Sequence, residues 1–408
     1  MSHYKPYPAY RDSGVEWIGQ VPSKWEVKPI KIVATFNDDV LPDSTAADTP
    51  ISYVDISSVS YAAGIGSTEE MLFGNAPSRA RRKAKVGDVV ISTVRTYLKA
   101  VAAVDAAHAD CVYSTGFAVL RSRTGHIEPN FLKWLALNEL FIQSVESHSE
   151  GLSYPAINAP ELVNLKTVMP SLPEQATIAV TIDRETARFD ALIAKKTRFI
   201  ELLKEKRQAL ITHAVTKGLN PKAKMKASGV EWIGEVPEHW VAIKFNHVAR
   251  VTEGLVDPKA HPYREMVLIA PNHIESGTGK ILGLETAVFQ NAESGKYTCK
   301  KGAVIYSKIR PALAKVAIAP CDCLCSADMY PMDCTDRTYP EWLFYLMLSP
   351  PFTSWAILES DRVAMPKINR ESLADLRVFL PPMDEQLAAV AWLKAQVEKL
   401  EIVSLKTQ

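Results

Sequence analysis

The chain has no apolar run approaching the roughly 18 residues that a membrane-crossing helix needs, so no span is expected. Met1 to Tyr10 carries Tyr and Pro but no apolar core of signal-peptide length, so no secretory leader is expected either. Cysteine is scarce and unevenly placed. Cys111 stands alone in the first half, whereas Cys299, Cys321, Cys323, Cys325 and Cys334 lie in the second. That distribution makes no matched disulfide framework, and free thiols in a cytoplasmic protein are the expectation. An excess of one charge is also missing. Lys and Arg total 47 against 46 Asp and Glu, a net charge of +1. Any surface for a polyanion must therefore come from local clustering.

What is present is a repeat. Residues 13–25, SGVEWIGQVPSKW, return as 228–240, SGVEWIGEVPEHW, identical at 10 of 13 positions. The copy continues at a nearly constant offset. Gly87–Arg95 matches Gly302–Arg310, Pro129–Leu135 matches Pro340–Leu346, and Pro155-Ala-Ile-Asn158 matches Pro366-Lys-Ile-Asn369. Leu172-Pro-Glu-Gln175 matches Met383-Asp-Glu-Gln386 less closely, with the Glu-Gln kept. A period above 200 residues is too long for a solenoid and denotes a duplicated globular unit. The length of 408 residues suits two to four domains at roughly 100–200 residues each.

Each copy opens with short β-rich runs, in the first copy Ile51–Ile56, Val86–Thr93 and Val101–Val104, separated by Gly, Pro and Asp. Phe131–Val145 has helical spacing, and a further strand is expected over Leu165–Met169. The fold class is α+β with a mostly β centre. From Glu174 to Thr216 there is neither Pro nor Gly, and Gly218 supplies a stop. Ile178, Ile182, Phe189, Leu192, Phe199, Leu203 and Leu210 fall on a heptad seam, which predicts a helix of about 65 Å. After Asp384, Leu387, Val390, Leu393, Val397 and Leu400 form a shorter stripe. Two long helices in one chain point to an antiparallel coiled coil. The alternative is two amphipathic helices packed on their own domains, but a 43-residue helix exceeds what one small domain can cover. The expected divisions are 1–171, a helix over 172–217, 218–382, and a second helix over 383–408.

Several fragments imitate catalytic sequences. Ser349-Pro-Pro-Phe352 fits the loose pattern of adenine methyltransferases, but no Gly-rich cofactor loop precedes it and the first copy reads Asn138-Glu-Leu-Phe141. It is read as a helix terminator. Gly277-Thr-Gly-Lys280 lacks the earlier glycine and the trailing Ser or Thr of a phosphate loop, so it is read as a turn. Cys321, Cys323 and Cys325 have one-residue spacings unlike zinc knuckles and are read as buried thiols on one side of a strand. No metal site and no catalytic set are expected.

The strongest local charge feature is Arg79-Ala-Arg-Arg-Lys-Ala-Lys85, in which Arg79, Arg81, Arg82, Lys83 and Lys85 are basic and acids are absent from Asn75 to Gly87. Such a run is often a solvated face; here its density favours contact with phosphates or base edges. Arg95 and Lys99 have counterparts in Arg310 and, one residue displaced, Lys315, with Lys308 added in the second copy. The loop 149–158 matches 360–369 in frame but differs at its tip, where Ser153 and Tyr154 face Ala364 and Met365; Arg362 and Lys367 add charge.

At these residues the chain resembles the specificity subunit of a type I restriction–modification system. The resemblance covers nearly the whole chain. It rests on residues 13–25 and their copy, the Gly87–Ser92 turn and strand, and the Pro170–Gln175 and Pro381–Gln386 helix entries. It implies two target-recognition domains, each reading one part of a split double-stranded DNA site, with the helices as spacer. It implies no catalysis by this chain, two methyltransferase (modification) subunits as partners, and restriction subunits as further partners. S-adenosylmethionine, ATP and magnesium would belong to those partners. A non-catalytic protein–protein scaffold with two heads on a helical strut is the competing reading.

Overall fold

The computed structural model describes residues 6–230, 232–360 and 366–407. The chain divides into two compact units, Met1–Leu192 and Ile193–Gln408.

In the first unit a four-stranded antiparallel sheet takes the order Val101–Ala103, Val89–Ser92, Phe117–Ser122, Ala34–Phe36. Alternation along the strands explains why it is buried on both faces. Val89, Ile91, Ala118 and Leu120 pack on a helical layer with Phe131, Leu132 and Phe141. Val90, Phe117 and Val119 face a second sheet and pack with Val54 and Tyr113. That second sheet runs Glu69–Leu72, Pro50–Val54, Val112–Ser114, Ala80–Lys83. Ala80–Lys83, the middle of the basic run, is thus an edge strand, which the sequence analysis did not predict. The helical segment expected over Phe131–Val145 is two helices, Pro129–Ala136 and Glu139–Ser147. The break comes at Asn138, whose side chain accepts from the backbone N–H of Leu140 and Phe141 and so starts a new helix.

The second unit repeats this plan. Its sheet runs Ala249–Val251, Met329–Cys334, Val304–Ser307, Val316–Ile318, the same order and pairing sense. Val304, Tyr306, Tyr330 and Met332 face a helical core around Trp342, Leu343 and Phe352. Ile305, Ala317 and Met329 face a three-stranded sheet that carries Cys299, Cys323 and Cys325. Those three thiols are buried and free, whereas Cys321 is half-buried just before the strand. Among the described residues no group of three or more His, Cys, Asp or Glu could hold a metal ion.

A 46-residue helix spans Leu172–Lys217, and a 25-residue helix spans Met383–Thr407. No helix among the described residues is long and apolar enough to cross a membrane. Each helix enters through the repeated Glu-Gln pair, and the structure explains why both residues recur. Trp25 Nε1 donates to Glu174 at 3.1 Å, and Trp240 Nε1 donates to Glu385 at 3.1 Å. Gln175 is buried; it accepts from the Glu128 N–H at 2.9 Å and donates to the Pro170 carbonyl at 2.9 Å. Gln386 does the same with the Tyr339 N–H and the Pro381 carbonyl, and donates also to the Arg337 carbonyl. One side chain therefore satisfies backbone groups at the start of two helices that would otherwise be orphaned.

The seam is more local than expected. Val390 and Leu393 pack in the second unit's core with Ile211, Ala214 and Val215, and Leu210 lies against the same core. Burial lowers the pKa of Arg207, partly offset by Tyr345 and by Glu401 nearby; with Val390 beside Ile211–Val215, this runs the two helices antiparallel there. Val397 is buried, while Leu203 and Leu400 are half-buried. In the first unit Ile178 packs on the core and Ile182 is half-buried. Phe189, Leu192 and Phe199, expected in the seam, are exposed. The terminal helix turns its stripe into its own unit's core, so the heptad pattern here partly reports helix-on-domain packing.

Candidate nucleic-acid interface

Three segments of the first unit meet at one end of its sheets. The first is the start of the basic strand. Arg79 donates from Nε to the Tyr53 hydroxyl at 3.0 Å and pairs with Asp55 at 3.0 Å, and these partners hold its pKa above the ordinary value. Its side chain stays half exposed, aimed by two anchors. Arg81 stacks 4.7 Å over the Phe73 ring. Arg82 is half-buried, with Nε sealed from solvent and without a hydrogen-bond partner, and burial lowers its pKa. Lys83 is half-buried and Lys85 exposed. So the run is not one uniform cationic face.

The second segment is the turn Thr115-Gly116. Thr115 N–H donates to the Arg79 carbonyl at 2.7 Å, and Gly116 accepts from Thr93 N–H at 2.8 Å. A Cβ on Gly116 would lie 2.5 Å from the Ile56 Cδ1 and 3.2 Å from Val94, so a larger residue here would push the Ile56 side chain aside. This turn joins the basic strand to the third segment, the loop that begins at Val94.

That loop is the most unusual backbone of the repeat. Arg95 and Lys99 are left-handed, with φ of 51° and 52°, around a short 3-10 turn. Arg310 and Ala314 repeat this with φ of 48° and 43°. Left-handed non-glycine residues cost about 1–3 kcal/mol each and persist where surrounding structure enforces them. The enforcement is the same in both units. Ser92 Oγ donates to the Val94 carbonyl, and Ser307 Oγ to the Ile309 carbonyl. One bond is shifted by a residue: Thr96 N–H reaches Pro155 O, whereas Arg310 N–H, at the position of Arg95, reaches Pro366 O. Ile157 N–H donates to Thr93 O, and Ile368 N–H to Lys308 O, both at 2.9 Å. Asn158 and Asn369 then cap short helices. The repeated Pro-x-Ile-Asn segment is thus the brace beneath the strained loop.

This register agrees with the one-residue displacement of Lys315 in the sequence. Lys99 is equivalent to Ala314, not Lys315. Ser92 N–H bonds Ala100 O while Ser307 N–H bonds Lys315 O, so Lys315 stands where Ala100 does. The functions differ accordingly. Lys99 pairs with Glu139, and Lys315 Nζ donates to the Pro271 carbonyl at 2.6 Å. Lys315 and Arg310 line a cavity of about 570 Å³ with Asn272, Asp328 and Pro366.

At the tip, Arg95 lies 4.8 Å over the ring of Tyr154, and Ser153 is exposed beside it. In the second unit Lys308 lies over Tyr330, and Lys367 is exposed. Arg362 lies outside the described residues. Sequence reasoning missed Arg370, which lies over Tyr330 and Tyr297 and donates to the Tyr297 hydroxyl at 3.1 Å. Its position one residue after the Asn369 cap looks like an ordinary first helical turn; the two tyrosines that give it a role come from distant strands.

The enzyme-like fragments are accounted for structurally. Phe352 is fully buried against Tyr306 and Trp355, out of reach of any base, and Ser349 donates to the Leu346 carbonyl at 2.6 Å where one helix ends and the next begins. The Gly277-Thr278 turn is held by Arg207, which donates to both carbonyls at 2.6 and 3.0 Å.

This duplicated architecture is shared with solved specificity-subunit structures. A chain from a structure of type I restriction–modification complex assembly and conformational transition superposes with a TM-score of 0.72 at 21% identity, covering 95% of this chain and 93% of that one. The HsdS subunit from Thermoanaerobacter tengcongensis gives 0.57 at 22%, with the same coverage. In sequence, the type I restriction enzyme EcoDI specificity subunit of Escherichia coli is 34% identical over 284 residues, 65% of this chain. That match spans 63% of the relative's own length. The putative MjaX specificity subunit of Methanocaldococcus jannaschii is 23% identical over 94% of this chain and 89% of that one. No family model matches the chain. In fold over most of its length, and in sequence over about two thirds of it, the chain is similar to type I restriction-enzyme specificity subunits.

Proposed function

We propose that this chain is the sequence-specific DNA-binding subunit of a type I restriction–modification enzyme, with each unit reading one half of a bipartite site. The observation that carries the reading is the paired loop. Both units hold an exposed, left-handed arginine, Arg95 or Arg310, on the same brace, while the side chains around it differ. A common frame with different tips suits two readers of different half-sites. Arginine supplies both phosphate contact and bidentate reading of guanine.

In this reading the chain carries no catalysis. Two methyltransferase subunits dock on it and supply S-adenosylmethionine chemistry, and restriction subunits bring ATP and magnesium. The place of action is the cytoplasm, where the DNA is. The test is to map methylated adenines in host DNA with this gene intact and deleted. The reading expects a two-part methylated site that disappears on deletion; an unchanged methylation pattern overturns it.

A further inference from the structure

The tip of the loop after Ser149 presents side chains that a soluble surface does not usually leave bare. Leu152 is 106% exposed, Tyr154 is 64% exposed, and Tyr97 on the adjoining loop is 52% exposed. Val94 and Leu98 add further exposed apolar surface on that same loop. Exposed apolar residues gathered at one place mark an interaction site more often than scattered ones do.

The base of this tip is rigid. Glu150 N–H and Ala156 N–H exchange hydrogen bonds with each other's carbonyls at 2.8 and 2.9 Å. Thr96 Oγ1 donates to Ser149 Oγ, which donates to the Val145 carbonyl at the end of a helix. Gly151, with φ of 110°, makes the turn into the tip. Leu152 is therefore a projecting apolar side chain on a fixed stalk. The cationic groups beside it are Arg95, stacked on Tyr154, and Arg79, joined through Thr115 and Gly116.

We propose that residues 152–154 form a wedge that enters a base-pair step of the first half-site, with Leu152 between the bases. Tyr154 and Arg95 form the stacking platform beside it. This rests on the DNA-reading role proposed above and deepens it. Apolar wedges that partly unstack a step are a known solution where a protein bends duplex DNA, and base–aromatic stacking tolerates any sequence. Beside the hydroxyls of Ser153 and Tyr154, the most exposed side chain of the tip is Leu152, which has no group to read a hydrogen-bonding base edge. Arg95 and Arg79 supply the positive charge that keeps such a tip against phosphates.

The test uses the full chain and duplexes containing its mapped site, with 2-aminopurine placed at successive positions of the first half-site. Unstacking brightens that base, so binding is expected to raise fluorescence several-fold at one step. Leu152→Gly and Tyr154→Ala are each expected to abolish the rise. Tyr154→Ala is also expected to weaken binding about tenfold. The salt dependence of binding is expected to stay unchanged in both variants, because no phosphate contact is lost. Brightening that survives both substitutions, or brightening at no position while the duplex is bound, overturns the wedge. Absence of duplex binding at any salt overturns the DNA-reading role beneath it.

Discussion

Trp25 donates its indole N–H to the Glu174 carboxylate at 3.1 Å, which fixes the repeated N-terminal segment to the first turn of the long helix. Tyr7 adds its hydroxyl to the same carboxylate, and burial followed by that carboxylate pushes the Tyr7 pKa up to about 12. Glu174→Ala is therefore expected to lower first-unit stability by about 1 kcal/mol, since it takes the partner from the half-buried Trp25 indole while the exposed Tyr7 hydroxyl turns to water. Urea denaturation followed by tryptophan fluorescence measures this, and Glu385→Ala should act in the same way through Trp240 in the second unit.

The buried glutamines allow a sharper comparison. Gln386→Leu leaves the Arg337 and Pro381 carbonyls and the Tyr339 N–H without their partner, whereas Gln175→Leu strands two groups. Each stranded buried group costs about 1–3 kcal/mol. The second-copy variant should be the less stable of the two, as read from separate denaturation midpoints.

Within the basic run the arginines should not behave alike. Arg79→Gln is expected to weaken DNA binding across sequences and to reduce the slope of log affinity against log salt by about 0.9. Arg82→Gln should change stability more than salt slope, because its Nε is sealed inside the sheet. Filter binding over a salt series, set beside a thermal melt, separates the two. A full slope change from Arg82→Gln would place it at the phosphates instead.

Thiol chemistry gives a pH test. Burial raises the pKa of Cys111 and Cys321, and pushes Cys334 up to about 12. The neighbouring Cys299 thiol, then burial, raises Cys323. Folded values above the unfolded one mean that this stability is complete below about 8.5, the ordinary thiol pKa. It is lost as pH rises from there towards the folded values. Native alkylation at pH 8 should therefore be slow, fastest at half-buried Cys321, and stability should fall between pH 9 and 11 as followed by circular dichroism. Rapid modification of Cys323 in the folded chain would contradict its burial.

The Gly277–Lys280 turn offers a further check. A Cβ on Gly279 would lie 2.4 Å from the Phe344 ring and 2.8 Å from the Val316 carbonyl, at φ of 78°. Gly279→Ala should destabilise the second unit by about 1–3 kcal/mol, measured by thermal melting. The glycine there serves close packing rather than phosphate binding.

Much of this was legible in sequence because duplication prints the frame twice. Residues that recur, Trp25 with Trp240 and Gln175 with Gln386, prove to be the braces. The strand at Val89–Ser92 was visible from its apolar run. Three things were hidden for physical reasons. The edge strand Ala80–Lys83 is basic, so no apolar alternation marks it as a strand. The left-handed backbone at Arg95 and Arg310 falls on non-glycine residues, which composition does not reveal. Exposure of Phe189, Leu192 and Phe199 was hidden because a heptad pattern states which side of a helix is apolar, not what covers it.

Left-handed Arg95 and Arg310 leave the chain less stable than it could be. Glycine at either site would relieve about 1–2 kcal/mol of backbone strain, and the brace beneath would not change. Under the DNA-reading role proposed above, an arginine at both places is a concession of stability to binding. Screens that select for heat resistance alone should drift towards glycine at these two positions and lose the reading heads as they do.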